Sequence, residues 1–183
     1  RLHRRAAVVL STVMALIAFS TPVFVIRPTY AHAMLRPPLA RNGIEVQYPL
    51  QAYLGNKVKL HGFDVSKSDT AEMQITLHWE VLKRSDENLI VFVHLFDAQG
   101  EFVVGHDSVP MGRTYPASVW SPGELLVDTH TLSTANGIQP GEYQLAAGMY
   151  RFIDNQRLPT TDANRQRFTD DVIPLGNPFT FPP

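Results

Sequence analysis

Residues Ala6 to Ile26 run without a single charge, fenced by Arg1, Arg4 and Arg5 on one side and by Arg27 and Pro28 on the other. An α-helix rises about 1.5 Å per residue, so roughly 20 residues cross a hydrocarbon core of about 30 Å, and this run meets that length. It reads as a membrane span whose flanking arginines snorkel to the headgroups. Pro22 removes one backbone hydrogen bond near the helix exit, and Pro28 ends the helix. A secretory signal is the competing reading, because Ala31-His32-Ala33 has the A-x-A form of a cleavage site. The run exceeds the roughly 7 to 15 residues of a signal's apolar core, which favours the uncleaved span.

Small residues Ala6, Ala7, Ser11, Ala15 and Ala18 lie on roughly one side of that helix, where they let a neighbouring helix approach closely. The partners this implies are the lipid bilayer and other membrane-protein subunits. The alternative is that Ala and Ser only dilute the hydrophobicity of the span. Three segments follow: residues 1–28 as the span with its basic flank, 29–42 as a linker stiffened by Pro37-Pro38, and 43–183 as one folded domain. The basic tail favours a cytoplasmic N-terminus in the cell membrane, with the domain on the extracytoplasmic side.

Beyond residue 33, 12 Lys and Arg face 17 Asp and Glu, a net charge of −5. With no clustered cationic surface outside the N-terminal tail, nucleic acid is excluded as a partner. The chain has no cysteine, which rules out disulfides, thiolate metal sites and cysteine nucleophiles.

Apolar residues beyond the linker recur with period two in short runs separated by Gly, Pro, Asp and Asn, the pattern of an antiparallel β-protein. Met73, Ile75, Leu77, Trp79 and Val81 should face a core, with Gln74, Thr76, His78 and Glu80 on the wet side. Leu89 to Phe96 is apolar on both faces and predicts a central strand covered on both sides. Asp97-Ala98-Gln99-Gly100 then predicts a type I turn with a left-handed exit into a hairpin partner at Glu101 to Val104. Further strands are predicted at Ile44 to Tyr48, Lys57 to Val65, Glu124 to Leu132, Glu142 to Phe152 and Phe179 to Phe181. A type II turn is expected at Pro140-Gly141. Ala146, Ala147 and Gly148 imply that a neighbouring group approaches that strand closely. The fold expected is an all-β antiparallel sandwich, jelly-roll-like, preceded by one transmembrane helix.

Catalytic constellations are not evident. The seven histidines show no H-x-H or H-E-x-x-H spacing, so structural roles are favoured over a metal site and no cofactor is implied. His78 reads as solvated, and His94 as buried against a carboxylate or carbonyl. No G-x-S-x-G elbow or calcium-loop pattern is present. The most individual stretch is Asp107 to Asp128, rich in Pro and Gly, with Tyr115 and Trp120. Those two rings could stack on a glycan or plug the open end of the sandwich, and the need of so long a loop to bury something favours the plug.

A succession of short motifs carries a family resemblance: Arg27-Pro28-Thr29-Tyr30-Ala31, Leu60-His61-Gly62-Phe63-Asp64, Leu77-His78-Trp79, Phe92-Val93-His94-Leu95-Phe96-Asp97 with Gly100, and Asp107 with Pro110 and Gly112. Then follow Tyr115-Pro116-Ala117-Ser118, Trp120, Pro122-Gly123-Glu124, Asp128, Pro140-Gly141-Glu142-Tyr143, Gly148-Met149-Tyr150 and Arg157-Leu158-Pro159. In this order they resemble the C-terminal extracytoplasmic β-sandwich, with its preceding last membrane helix, of bacterial polytopic proteins related to dolichyl-phosphate-mannose-type glycosyltransferases. Ala117 stands where that pattern usually has Thr. The resemblance implies topology but not catalysis, because the carboxylates of those transferases lie in loops between earlier membrane helices. It leaves two expectations for the chain: part of a longer protein, or a sandwich reused on a single anchor. The function expected is a non-catalytic interaction or scaffold subunit of a membrane assembly. The alternatives are an accessory domain of a glycosyltransferase acting on lipid-linked sugars, or a carbohydrate-binding module.

Overall fold

The computed structural model describes residues 45–68, 72–113, 115–133 and 138–181. The expected span, its packing face at Ala7, Ser11, Ala15 and Ala18, and the linker over 29–42 lie outside the described residues. Among the described residues no helix is long and apolar enough to cross a membrane.

Alternation of apolar and polar residues forms the strands where it is strongest. In β3 (Glu72–Val81), Met73, Ile75, Leu77, Trp79 and Val81 are all buried while Gln74 is exposed, the pattern expected of a strand with one face on a core. Its neighbours are β2 (Val58–Ser68) and β6 (Leu125–Ser133). With β1 (Tyr48–Leu54) and β8 (Thr160–Asp162) they form one antiparallel sheet, sheet A, in the order β6-β3-β2-β1-β8.

A second antiparallel sheet, sheet B, has β4 (Leu89–Asp97) between β7 (Gly141–Arg151) and β5 (Phe102–Ser108). The far side of β7 pairs with both β9 (Ile173–Pro174) and β10 (Phe179–Phe181). The chain changes sheet after β3, β5, β6, β7 and β8, which makes a two-layer sandwich. Leu54, Leu60, Ile75 and Trp79 of sheet A and Val91, Val93, Leu95 and Leu145 of sheet B share one core.

Four differences from the sequence reading have local causes. The first strand begins at Tyr48, where the expected one ended, and Pro49 falls at the register shift between Pro49 and Ala52, the place in a ladder that tolerates a missing N–H. Strands β8 and β9 have only three and two residues, too few for a period to show. Gly141 is extended and pairs with Phe181, so Pro140-Gly141 is not a type II turn. The Pro-Gly pair that does turn the chain is Pro122-Gly123: Gly123 has φ 87°, and the Glu124 amide donates to the Ser121 carbonyl at 3.2 Å. At the other expected turn, Gly100 has φ 82° and its amide donates to the Asp97 carbonyl at 3.0 Å.

The crossover from β5 to β6 closes one end of the core. Trp120 and Tyr115 are 1% and 5% exposed, and the Trp120 Nε1–H donates to the Tyr115 carbonyl at 2.9 Å. The Tyr115 hydroxyl donates to the Glu124 carboxylate, 2.9 Å from each oxygen. Glu124 also accepts the Ser121 amide at its carboxylate, its carbonyl accepts the Val81 amide at the end of β3, and the Val81 carbonyl accepts the Gly123 amide. Burial and this carboxylate push the Tyr115 hydroxyl pKa up to about 12, so the phenol stays a donor across the physiological range. Trp120→Ala should cost about 3–5 kcal/mol in urea unfolding, the range for aromatic core truncation, whereas Trp120→Phe should cost far less. A Trp120→Ala variant as stable as the parent would show that the indole does not hold the core closed.

Candidate functional site

The outward side of sheet B is where aromatic and titratable groups gather in reach of solvent. On β4, Leu89, Val91, Val93 and Leu95 turn to the core, so Phe92, His94 and Phe96 stand on the opposite face. The strands on either side leave room for these rings. Gly148 of β7 is opposite Phe92, and Ala146 of β7 and Gly105 of β5 flank His94. A Cβ at Gly148 would lie 2.5 Å from Phe92 Cζ, and one at Gly105 would lie 2.5 Å from His94 Cδ2. The close approach implied by Ala146, Ala147 and Gly148 is therefore that of a ring lying across the strand.

Hydrogen bonds fix the centre of this face. Asp107 of β5 accepts from His94 Nε2 at Oδ1 (2.6 Å) and from the Tyr150 hydroxyl of β7 at Oδ2 (3.0 Å), tying three adjacent strands together. Burial, then the Asp107 hydrogen bond and charge, raise the Tyr150 pKa above the ordinary phenol value. The rings form a continuous set: His94 lies 4.9 Å from Phe92 and 5.2 Å edge-on from Phe102, and Phe102 is 6.2 Å from Phe96. Arg157 covers Phe92 at 5.3 Å, while Phe102 is 58% exposed. Beside Phe96, a cleft of about 440 Å³ runs between the sheet and residues 168–174, with Gln144 and Ala146 on one side and Phe168 and Pro174 on the other.

Tyr115 and Trp120 are remote from this role: both rings are inside the core and offer no face to a sugar. His94 has the carboxylate partner its position implied, but it is half-buried on the outward face rather than inside a strand covered on both sides, because no second layer packs over it among the described residues. His78 differs from the solvated residue expected. It is buried opposite Gly62, which has no side chain to shield it from Asp64, and its Nε2 lies 2.7 Å from Asp64 Oδ2. Sequence reasoning missed Phe102, Asp107 and Tyr150 as a group because β5 supplies the first two and β7, distant in sequence, supplies the third. The available signal was Gly and Ala opposite the aromatic positions of β4.

A second polar cluster lies where the edges of the two sheets meet. The Nδ1 atoms of His106 (β5) and His130 (β6) are 3.0 Å apart, His130 Nε2 is 3.0 Å from Asp128 Oδ2, and Asp128 Oδ1 accepts the Met111 amide at 2.8 Å. One Nδ1 must donate and the other accept, so the bond cannot survive protonation of both rings. Desolvation, then the neighbouring His130, lowers the His106 pKa. Among the described residues no three His, Asp or Glu side chains are grouped to hold a metal.

No family model and no curated protein matches this chain. Among solved structures it is similar to the C-terminal domain of Wzt, at 13% identity and a TM-score of 0.47, over 80% of this chain and 85% of that one. That likeness is too distant to bear on function.

Two outcomes follow. Gly148→Ala should destabilise by about 1–3 kcal/mol in urea, the usual cost of overpacking, and adding Phe92→Leu should recover part of the loss. Because the His106 pKa is lowered on folding, the stability it contributes is present above the unfolded value of about 6.5 and is lost as pH falls through the folded value. The urea midpoint should therefore fall more between about pH 7.5 and pH 5.5 in the parent than in His106→Gln, and equal falls would remove the seam from the account.

Proposed function

We propose that this chain is a non-catalytic recognition module of a membrane assembly, with the outer face of sheet B as its contact surface and a neutral glycan as its ligand. The observation that carries this reading is the grouping of exposed Phe102 with Phe96, His94, Asp107 and Tyr150 beside an open cleft. Aromatic area with a few fixed polar groups is the composition of a small-ligand site, and an exposed flat ring suits stacking on a sugar. Binding is favoured over catalysis because both Asp107 oxygens are engaged in holding His94 and Tyr150, and the raised Tyr150 pKa disfavours the phenolate a nucleophile or base would need.

The membrane setting rests on the charge-free run Ala6 to Ile26. The order of motifs shared with the extracytoplasmic sandwiches of dolichyl-phosphate-mannose-type proteins favours a second reading, an accessory domain beside a transferase acting on lipid-linked sugars. Such a domain would use the same face. In either setting the contribution of this chain is to hold a ligand or partner in place.

Screening the full chain on an array of neutral oligosaccharides should reveal a ligand, and Phe102→Ala should weaken its binding by about tenfold, equivalent to about 1.4 kcal/mol. Trp120→Phe should leave affinity unchanged, since that ring is interior. Retained affinity in Phe102→Ala, or silence across the array, would sink the glycan reading.

A further inference from the structure

At the far end of β1 from Tyr48, a cleft of about 680 Å³ lies between the turn at residues 55–57 and the segment that follows β7. Its lining is unlike the acidic character of the chain beyond residue 33. Five cationic side chains face two carboxylates. Three of the cations are engaged: Lys57 and Arg151 both reach Glu87, and Arg167 makes a bidentate pair with Asp171 at 2.8 and 2.7 Å. Both carboxylates are thereby held below their ordinary pKa, Glu87 chiefly by Lys57 and Asp171 chiefly by Arg167, so they stay ionised and keep their partners occupied.

The other two cations form no ion pair with a carboxylate among the described residues, although the charge of Arg157 reaches Asp171 and helps to lower its pKa. Arg157 donates one guanidinium N–H to the Asp170 carbonyl at 3.1 Å and lies over Phe92. Arg165 lies over the Tyr53 ring at 5.1 Å. A tight turn holds it there: Asp162 Oδ1 accepts the Asn164 and Gln166 amides at 2.8 Å each, and the Arg165 amide donates to the Asp162 carbonyl. Within that turn Arg165 has φ 65°, a left-handed conformation that favours Gly or Asn. The backbone thus presents an exposed guanidinium, stacked on an aromatic ring, at a cleft already rich in positive charge.

We propose that this cleft binds the anionic group of a small ligand, a phosphate or a carboxylate, with Arg165 and Arg157 as its free donors. A planar guanidinium with unused N–H groups matches the paired oxygens of either anion. The three paired cations set the field of the cleft, while Glu87 and Asp171 keep them in place. Phe102 does not line this cleft and Arg165 does not touch the aromatic face, so substitutions at these two residues test the two sites independently.

The test is NMR titration of the full chain with inorganic phosphate and, in parallel, with galacturonate. At least one anion should shift the Arg165 and Arg157 side-chain signals, and a preference for phosphate marks a phosphoryl ligand whereas the reverse marks an acid sugar. Arg165→Ala should weaken binding by about tenfold, Arg165→Lys by less, and Phe102→Ala not at all. Raising ionic strength from about 0.01 M to about 1 M, which shortens the screening length from about 30 Å to about 3 Å, should weaken it further. Neither anion moving these signals, or an Arg157→Ala/Arg165→Ala double variant binding as the parent does, would overturn the proposal.

Discussion

Two sheets can form one core only if the chain that passes between them does not leave the core open where it crosses. The crossover from β5 to β6 meets that constraint with two aromatic side chains. Trp120 is buried whole because the Tyr115 carbonyl satisfies its only polar atom, and Tyr115 can follow it inward because Glu124 receives its hydroxyl. Glu124 is then tied by its backbone to Val81, at the end of the innermost strand pattern of sheet A. The loop is thereby continuous with the core rather than a cover laid over it.

With the core closed, the outer side of sheet B is free to carry side chains that the core could not use. The opposition of Phe92 to Gly148, and of His94 to Gly105 and Ala146, brings aromatic rings flat onto the strands and aligns His94, Asp107 and Tyr150 across them. Arg157 links this face to the cationic cleft, because its guanidinium lies over Phe92 while the residue also lines the cleft. The two candidate surfaces are chemically different: one is aromatic and polar, the other cationic.

Strands whose period is long enough to repeat were legible from residue type alone. Met73 to Val81 announced its buried side because five core residues recur with period two, whereas Leu89 to Phe96, apolar on both faces, announced a central strand but not which face meets the core; the turn at Asp97 to Gly100 announced itself because Asp and Gly have specific conformational uses. What stayed illegible depended on contacts across the chain. Thr160 to Asp162 becomes a strand only because β1 offers it a partner, and His78 becomes buried only because Gly62 and Asp64 face it from β2. The aromatic face was hidden for the same reason, since it exists only once β4, β5 and β7 lie side by side.

The histidines show how this domain accommodates polar groups by pairing them. His61 with Glu80, His78 with Asp64 and His94 with Asp107 are cross-strand pairs at 2.6 to 2.7 Å, each joining neighbouring strands on one face. His130 is more deeply placed and depends on Asp128 and His106 together. A ring and a carboxylate so paired meet each other's hydrogen-bonding needs and add lateral cohesion to the sheet. The exposed ring of Phe102 lies outside these pairs, and among the described residues the guanidinium groups of Arg157 and Arg165 form no ion pair with a carboxylate.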